Sequence, residues 1–173
     1  SITDGQIYLE AELFHSGQRP AVNVGLSVSR VGGAAQTKAM KRLAAPLRMQ
    51  LAQYRELKTF AQFGSDLDAV SQKMLLRGER MMAIMRQPIF SPAPMEEQVL
   101  VLYAGTSGMI DDVAASKVQG YLQDLLEYVS NRYPEVLEKL AEVKVFTRSE
   151  ERHLEEVVAR FTTVFMEGER ANG

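Results

Sequence analysis

The sequence predicts a mainly α protein, with a bundle of five to six helices that follows a short segment of strands and loops. From about Gln36 onward, apolar residues recur at three- and four-residue steps, which is typical of helices that bury one face. Before that point, the apolar stretches are short and the sequence is punctuated by glycine and proline. A hydrophobic content of 46% is sufficient for a packed core, and a net charge of -2 argues against a sequence-independent nucleic-acid binder.

The first 36 residues are predicted to form short elements. Residues 7–9 are predicted to be a strand or an extended segment, and residues 22–24 a strand. A short helix over 10–15 is expected to stop at Ser16-Gly17. Residues 25–33 are rich in glycine and small side chains, which favours a loop where the backbone approaches another group closely. No apolar run in the sequence reaches the roughly 20 residues that a membrane-spanning helix needs, so no direct membrane span is predicted.

The first two helices of the bundle are predicted on either side of Gly64. In the first, Met40, Leu43, Leu47, Leu51 and Tyr54 form the apolar stripe. Pro46 lies inside this stretch and should kink the helix or split off its first turn. Residues 65–68 provide a cap for the second helix, which must end by Gln87 because Pro88 follows.

The remaining helices are predicted from their start signals. Pro94 suits the first turn of a third helix. Capping-box patterns at 116–119 and 147–150 indicate two further helix starts, and Pro134 can begin a short helix that reaches about Val143. The prediction is therefore a bundle with short connections and no internal repeat.

Several kinds of chemistry have no support in the sequence. Cysteine is absent, and no G-x-x-x-x-G-K-[ST] motif is present to hold phosphates. The two histidines, His15 and His153, are far apart and have no second ligand at metal spacing, so no metal site is predicted.

Residues 27–30, Ser-Val-Ser-Arg, are the most unusual stretch. A single arginine, Arg30, stands among small residues between a predicted strand and a long helix, on what we interpret as a loop at the end of the strand. A guanidinium group is always charged and can bind two phosphate oxygens at once, which is the chemistry of an arginine finger. By spacing alone, an arginine after a strand is more often a partner in a surface salt bridge.

Four blocks, at residues 1–7, 19–36, 51–57 and 60–68, closely resemble the alpha subunit of F-type ATP synthases, in the order and spacing of that family. The resemblance is closest up to about residue 76 and decreases beyond about 117. It implies that residues 1–36 are the C-terminal end of a P-loop-type α/β nucleotide-binding domain, without its P-loop. Residues 37–173 would then be the helical domain at the C-terminus of the subunit.

The resemblance also implies roles at the catalytic interface. In the family, alpha and beta subunits alternate in a ring around a rotating central stalk, and alpha contributes an arginine to the nucleotide site in beta. Arg30 stands at that motif position. Ser27 matches a position needed for activity, and Val28 and Ser1 match positions that line the same interface.

A second implied site is the adenine pocket of the nucleotide that alpha itself holds without catalysis. Arg19, Pro20 and Gln87 match this pocket, whereas Ile89 stands where the family often has a second glutamine. The expected ligands are ATP or ADP with Mg in the complete complex. None is expected on this chain alone, because the phosphate-binding part of that site lies outside it, and the chain should not be catalytic by itself.

Residues 60–68 match the loop of the family that approaches the central stalk. The implied contact residues are Phe60, Phe63, Ser65, Asp66 and Asp68. An acidic pair at this loop suits basic residues on a moving partner, because charge complementarity guides such contacts. The same acidic residues are also expected simply to start the second helix.

The resemblance implies partners and a location as well. The partners are the beta, gamma and delta subunits of a complex that couples ATP to proton transport. The location is peripheral, on the cytoplasmic face of a bacterial plasma membrane, or on an organellar inner or thylakoid membrane in a eukaryote. Strands without their parent sheet also favour self-association of the first 36 residues.

Two other interpretations stay open at the level of sequence. A stand-alone helical interaction module would explain the bundle but not blocks 1–5 and 27–30. A subunit of a related rotary or hexameric ATPase would share the architecture, but the block at 60–68 argues against it.

Overall fold

A computed structural model describes residues 3–63, 67–142 and 146–171. The strands are β1 (Gly5–Gln6) and β2 (Val28–Ser29). The helices are α1 (Ala11–His15), α2 (Arg30–Ala35), α3 (Lys38–Gln62), α4 (Ala69–Ile84), α5 (Met95–Thr106), α6 (Val118–Arg132), α7 (Pro134–Glu142) and α8 (Arg148–Ala171). The predicted class, a helical bundle behind a short segment with strands, is confirmed.

The strands of the N-terminal segment differ from those predicted. β1 and β2 pair antiparallel, with Gly5 opposite Ser29. The predicted strand at 22–24 and the predicted strand or extended segment at 7–9 meet only in a single bridge between Leu9 and Val22. They go no further because Asn23 begins a turn, in which its carbonyl oxygen accepts a hydrogen bond from the Ser27 N–H at 3.0 Å.

The predicted loop at 25–33 is also partly wrong. It contains β2 and the first residues of α2. α1, in contrast, forms as predicted and is followed by Gly17 in the left-handed conformation, with φ of 85°.

α3 is continuous through Pro46, so this proline does not split off a first turn, which was one of the two effects that the sequence predicted. Proline cannot donate a backbone hydrogen bond to the carbonyl four residues earlier. The helix nevertheless persists because Leu43 and Leu47, on either side of the proline, are both buried in the core. Packing of an apolar face contributes more to helix stability than one backbone bond.

Two helices, α4 and α8, begin at the capping residues that the sequence predicted. The Asp68 carboxylate caps α4 by accepting a hydrogen bond from the Ser71 N–H at 2.7 Å. At α8, the Thr147 N–H donates to Glu150 Oε2 at 2.8 Å and the Glu150 N–H donates to Thr147 Oγ1 at 3.3 Å, which is the predicted capping box.

The capping box predicted at 116–119 does not form. A 3-10 turn, Ala115–Lys117, leads directly into α6, and no side chain caps this helix. The Gln119 side chain donates instead to the carbonyl oxygen of Ala83 near the end of α4. A tertiary hydrogen bond between two helices therefore replaces the local one.

The six helices from α3 to α8 all contribute side chains to the hydrophobic core. α5 packs against α3, α4 and α7, and α6 packs against α4, α7 and α8. Tyr121 of α6 is completely buried, its hydroxyl group lies 2.7 Å from Thr162 Oγ1, and burial raises the pKa of Tyr121 to about 12. Within the described ranges, no helix combines the length and the apolar character needed to cross a bilayer.

Gly78 sets the distance between α3 and α4. A Cβ atom at this position would lie 2.3 to 2.5 Å from Cδ2, Cγ and Cβ of Tyr54, which is itself buried. Because the clash includes the first atom of the tyrosine side chain, rotation of the ring cannot relieve it. Only glycine allows this approach of the two helices.

We predict that Gly78→Ala lowers the free energy of unfolding by about 1–2 kcal/mol, although alanine is the better helix former. The matched control is Gly120→Ala in α6, where a Cβ atom meets nothing within 4 Å. That variant should be neutral or more stable, by up to about 1 kcal/mol. Urea unfolding of both variants measures the difference, and equal stability of the two would contradict the close-contact explanation.

Candidate functional site

Arg30 is the first residue of α2, not part of a loop as the sequence suggested. The helix can start here because the Ser29 side chain caps it, accepting a hydrogen bond from the Gly32 N–H at 2.9 Å. The Arg30 side chain is 69% exposed. The arginine therefore projects from the junction between β2 and α2 into solvent.

The guanidinium of Arg30 contacts its own chain. Its Nε donates to the carbonyl oxygen of Asp4 at 3.3 Å, and one terminal nitrogen donates to the carbonyl oxygen of Thr3 at 3.2 Å. The Asp4 carboxylate lies 3.8 Å from Nε and also accepts a hydrogen bond from the Val31 N–H at 2.8 Å. The contacts of Arg30 thus include two backbone carbonyl groups and one exposed carboxylate.

The other predicted interface residues lie next to this arginine. Val28 is exposed on β2 and lines an open cleft beside Arg30, together with residues 3–6, Tyr8 and Leu26. The Ser27 hydroxyl is used within the chain, where it accepts a hydrogen bond from the Tyr8 N–H at 3.0 Å. Ser1 lies outside the described residues.

The residues predicted to line an adenine pocket lie on two neighbouring segments. The Gln87 N–H donates to the carbonyl oxygen of Arg19 at 2.8 Å, which places the residues after α4 against Arg19-Pro20. The Arg19 guanidinium lies 4.2 Å from the centre of the Phe14 ring, in a cation–π contact. The structure therefore brings Arg19, Pro20 and Gln87 together, and it adds Phe14, which the sequence did not single out.

The described members of the predicted stalk-contact set, Phe60, Phe63 and Asp68, lie at the C-terminal end of α3 and just before α4. Phe60 and Phe63 are exposed, the latter to 83%, and Val70 adds a third exposed apolar side chain. Asp68 is exposed as well, but its carboxylate caps α4. Ser65 and Asp66 lie outside the described residues.

Sequence reasoning missed a polar network in the N-terminal segment that also contains Arg30. Asn23, which we assigned to a strand, is only 1% exposed, and its side chain contacts Glu10. The available signal was an asparagine between two valines, because a polar residue inside an apolar stretch needs hydrogen-bonding partners when it is buried.

The family of the chain follows from its helical part. The family model described as "ATP synthase alpha/beta chain, C terminal domain" matches residues 36–161, which include α3 to α7 and half of α8. The chain belongs to this family. The suspected resemblance to the C-terminal portion of an alpha subunit is thereby confirmed, because the chain is also 51% identical over 166 residues to the ATP synthase subunit alpha of Wolinella succinogenes.

That alignment covers 96% of the chain and 33% of the relative. The chain therefore spans about a third of the length of the relative that it matches. The alignment with this relative also covers residues N-terminal to the helical domain, so it includes sequence on both sides of the boundary that we expect near residue 36.

The capping role of Asp68 gives a pH prediction. Hydrogen bonds from the backbone and side chain of Ser71 lower the pKa of Asp68 below its ordinary value of 3.8. A carboxyl group with a lower pKa in the folded state stabilises the fold above its ordinary pKa, and this contribution is lost as the pH falls through the lower folded-state value.

We therefore expect Asp68→Ala to lower the melting temperature at pH 7, whereas Asp68→Asn, which keeps a capping oxygen, should be close to the original chain. Below about pH 4 the melting temperature of the original chain should fall relative to that of Asp68→Asn, because only the original chain loses a charged cap when the carboxylate is protonated. Calorimetry between pH 2 and 7 measures both effects. An alanine variant as stable as the asparagine variant at pH 7 would argue against the cap.

Proposed function

We propose that the chain acts as the C-terminal part of an ATP synthase alpha subunit, a regulatory and non-catalytic role. It completes the alpha/beta catalytic interface with Arg30 as an arginine finger. The observation that carries this proposal is an exposed guanidinium at the rim of an open cleft, in a chain from this family. Such a group can stabilise negative charge on a phosphoryl group held by a neighbouring subunit.

The contacts of Arg30 are compatible with that role. Its carboxylate partner is 3.8 Å away and exposed, and an exposed ion pair contributes only about 0–1 kcal/mol. A phosphate can offer two charged oxygens to the same guanidinium, and such bidentate bonds are stronger. A phosphate of a partner subunit can therefore compete with the Asp4 carboxylate for the Arg30 guanidinium.

We further propose that Arg19, Pro20 and Gln87 line the adenine side of a non-catalytic nucleotide site in the complete subunit. The hydrogen bond between Gln87 and Arg19 supports this, because it holds the two segments together without using the Arg19 side chain. ATP or ADP with Mg would be the ligand, and the residues that hold the phosphates would come from another part of the subunit.

The exposed end of the α3–α4 pair is proposed to contact the gamma subunit of the central stalk. Its exposed phenylalanines, Phe60 and Phe63, support this role, since large exposed apolar side chains are suited to a protein partner. The beta and delta subunits are the other proposed partners. We place the chain in a peripheral complex on the cytoplasmic face of a bacterial membrane, where ATP synthesis or hydrolysis is coupled to proton transport.

The test of the proposed finger is Arg30→Ala in the complete alpha subunit, reconstituted with its partner subunits. The complex should assemble, because the Arg30 side chain is mostly exposed, and its steady-state ATP turnover should fall by about 10³-fold. The matched control is Arg152→Ala, which removes an exposed arginine on α8 and should leave turnover unchanged. Normal turnover of an assembled Arg30→Ala complex would refute the finger role.

A further inference from the structure

Asn23 is almost completely buried, and every polar group it carries has a partner. Its N–H donates to the carbonyl oxygen of Tyr8 at 2.8 Å, and its own carbonyl oxygen accepts from the Ser27 N–H at 3.0 Å. Its side-chain oxygen accepts from the Leu26 N–H at 3.1 Å. Asn23 therefore fixes the turn over residues 23–27, which leads directly into β2 and Arg30.

Glu10 connects this asparagine to the helical bundle. Its Oε1 accepts a hydrogen bond from Asn23 Nδ2 at 2.6 Å. Its Oε2 accepts from the guanidinium of Arg55 on α3 at 3.2 Å. One carboxylate thus uses its two oxygens to bind a buried amide on one side and a helix of the core on the other.

The bond to Arg55 belongs to a row of similar contacts along α3. Lys41, Arg48 and Arg55 are spaced seven residues apart, so they lie on one side of the helix. Arg48 donates twice to the carbonyl oxygen of Gly25, at 3.0 and 3.2 Å, and Lys41 reaches the carbonyl oxygen of Ala34 at 3.5 Å. Lys41 and Arg48 donate to main-chain oxygens, whereas Arg55 donates to the side-chain carboxylate of Glu10.

We propose that Glu10 is a positioning residue for Arg30, acting through Asn23 and the turn over residues 23–27. The proposal depends on the finger role of Arg30 given above. Glu10 holds Asn23, Asn23 holds the turn, and the Ser27 hydroxyl at the end of the turn binds the Tyr8 N–H in the opposite segment. Arg30 follows Ser27 by three residues, so its direction depends on this turn.

A charged carboxylate is required for both bonds of Glu10. Asn23 Nδ2 and the Arg55 guanidinium are both donors, and only a carboxylate presents an acceptor oxygen to each. In Glu10→Gln one of the two donors would face an amide NH2 group. Because Asn23 is buried, water cannot easily replace the lost bond.

The first test is hydrogen exchange on the 173-residue chain. In Glu10→Gln, the amides of Asn23, Leu26 and Ser27 should exchange about tenfold faster, while those of α5 and α6 keep their protection. Arg55→Met, which leaves the Glu10–Asn23 bond in place, should give a smaller change in the same direction. The matched control is Glu151→Gln, which breaks the ion pair of another α3 residue, Arg42, at 2.6 Å, far along the chain from the turn; it should not change these amides.

The second test uses the complete, reconstituted enzyme and compares two backgrounds. With Arg30 present, Glu10→Gln should lower kcat by about three- to tenfold, with little change in KM. In an Arg30→Lys background, which lacks the forked guanidinium, adding Glu10→Gln should cause little further loss. A general structural defect would instead lower turnover by the same factor in both backgrounds.

Unchanged exchange of the turn amides in Glu10→Gln would overturn the positioning role, as would equal losses of kcat in both backgrounds. Normal turnover of Arg30→Ala would instead refute the finger role, and the exchange measurement would then still report whether Glu10 orders the turn. If Glu10→Gln does not fold, Arg55→Met in the same two experiments decides the question.

Discussion

The burial of the apolar face of α3 is the interaction on which the rest of the chain depends. Leu43, Leu47, Leu51 and Tyr54 of this helix enter the core, where α3 packs against α4 and α5. A helix of 25 residues is about 37 Å long, which makes α3 the longest helix among the described residues. The apolar face gives α3 a fixed place, and other parts of the chain can use it as a support.

The N-terminal segment uses α3 in a different way from the other helices. It binds the helix through cationic side chains that reach carbonyl oxygens and one carboxylate, while Ile7, Leu9 and Leu26 remain exposed. Hydrogen bonds and exposed ion pairs of this kind each contribute little, so the segment can open locally at a lower cost than the core. In the proposed role, a segment that presents an arginine to a neighbouring subunit would benefit from such local opening.

The helical bundle could be predicted because its signal is local and repeated. The apolar stripe of α3 and the reciprocal bonds between Thr147 and Glu150 each involve residues only a few positions apart in the sequence. The predictions that failed depended on distant contacts. Gln119 bonds α4 instead of capping its own helix, and the helix around Pro46 persists because its neighbours are buried. Residues 7–9 and 22–24 pair only at one bridge because a turn begins at Asn23. The side chain of Asn23 is bound by Glu10, which lies 13 residues earlier.

At the candidate site, too, the sequence revealed what depends on neighbouring residues and not what depends on distant contacts. Arg30 was found from its neighbours and from a family pattern, but its place at the start of α2 depends on the Ser29 cap and on Asp4, 26 residues away. Asp4 also binds the Val31 N–H and accepts from the Ser29 hydroxyl, so its carboxylate keeps partners when Arg30 turns away. Loss of the Arg30 contact therefore costs this carboxylate little, because it is exposed and keeps these two hydrogen bonds. An arginine with a replaceable partner of its own chain can remain ordered before a phosphate arrives and still move to meet it.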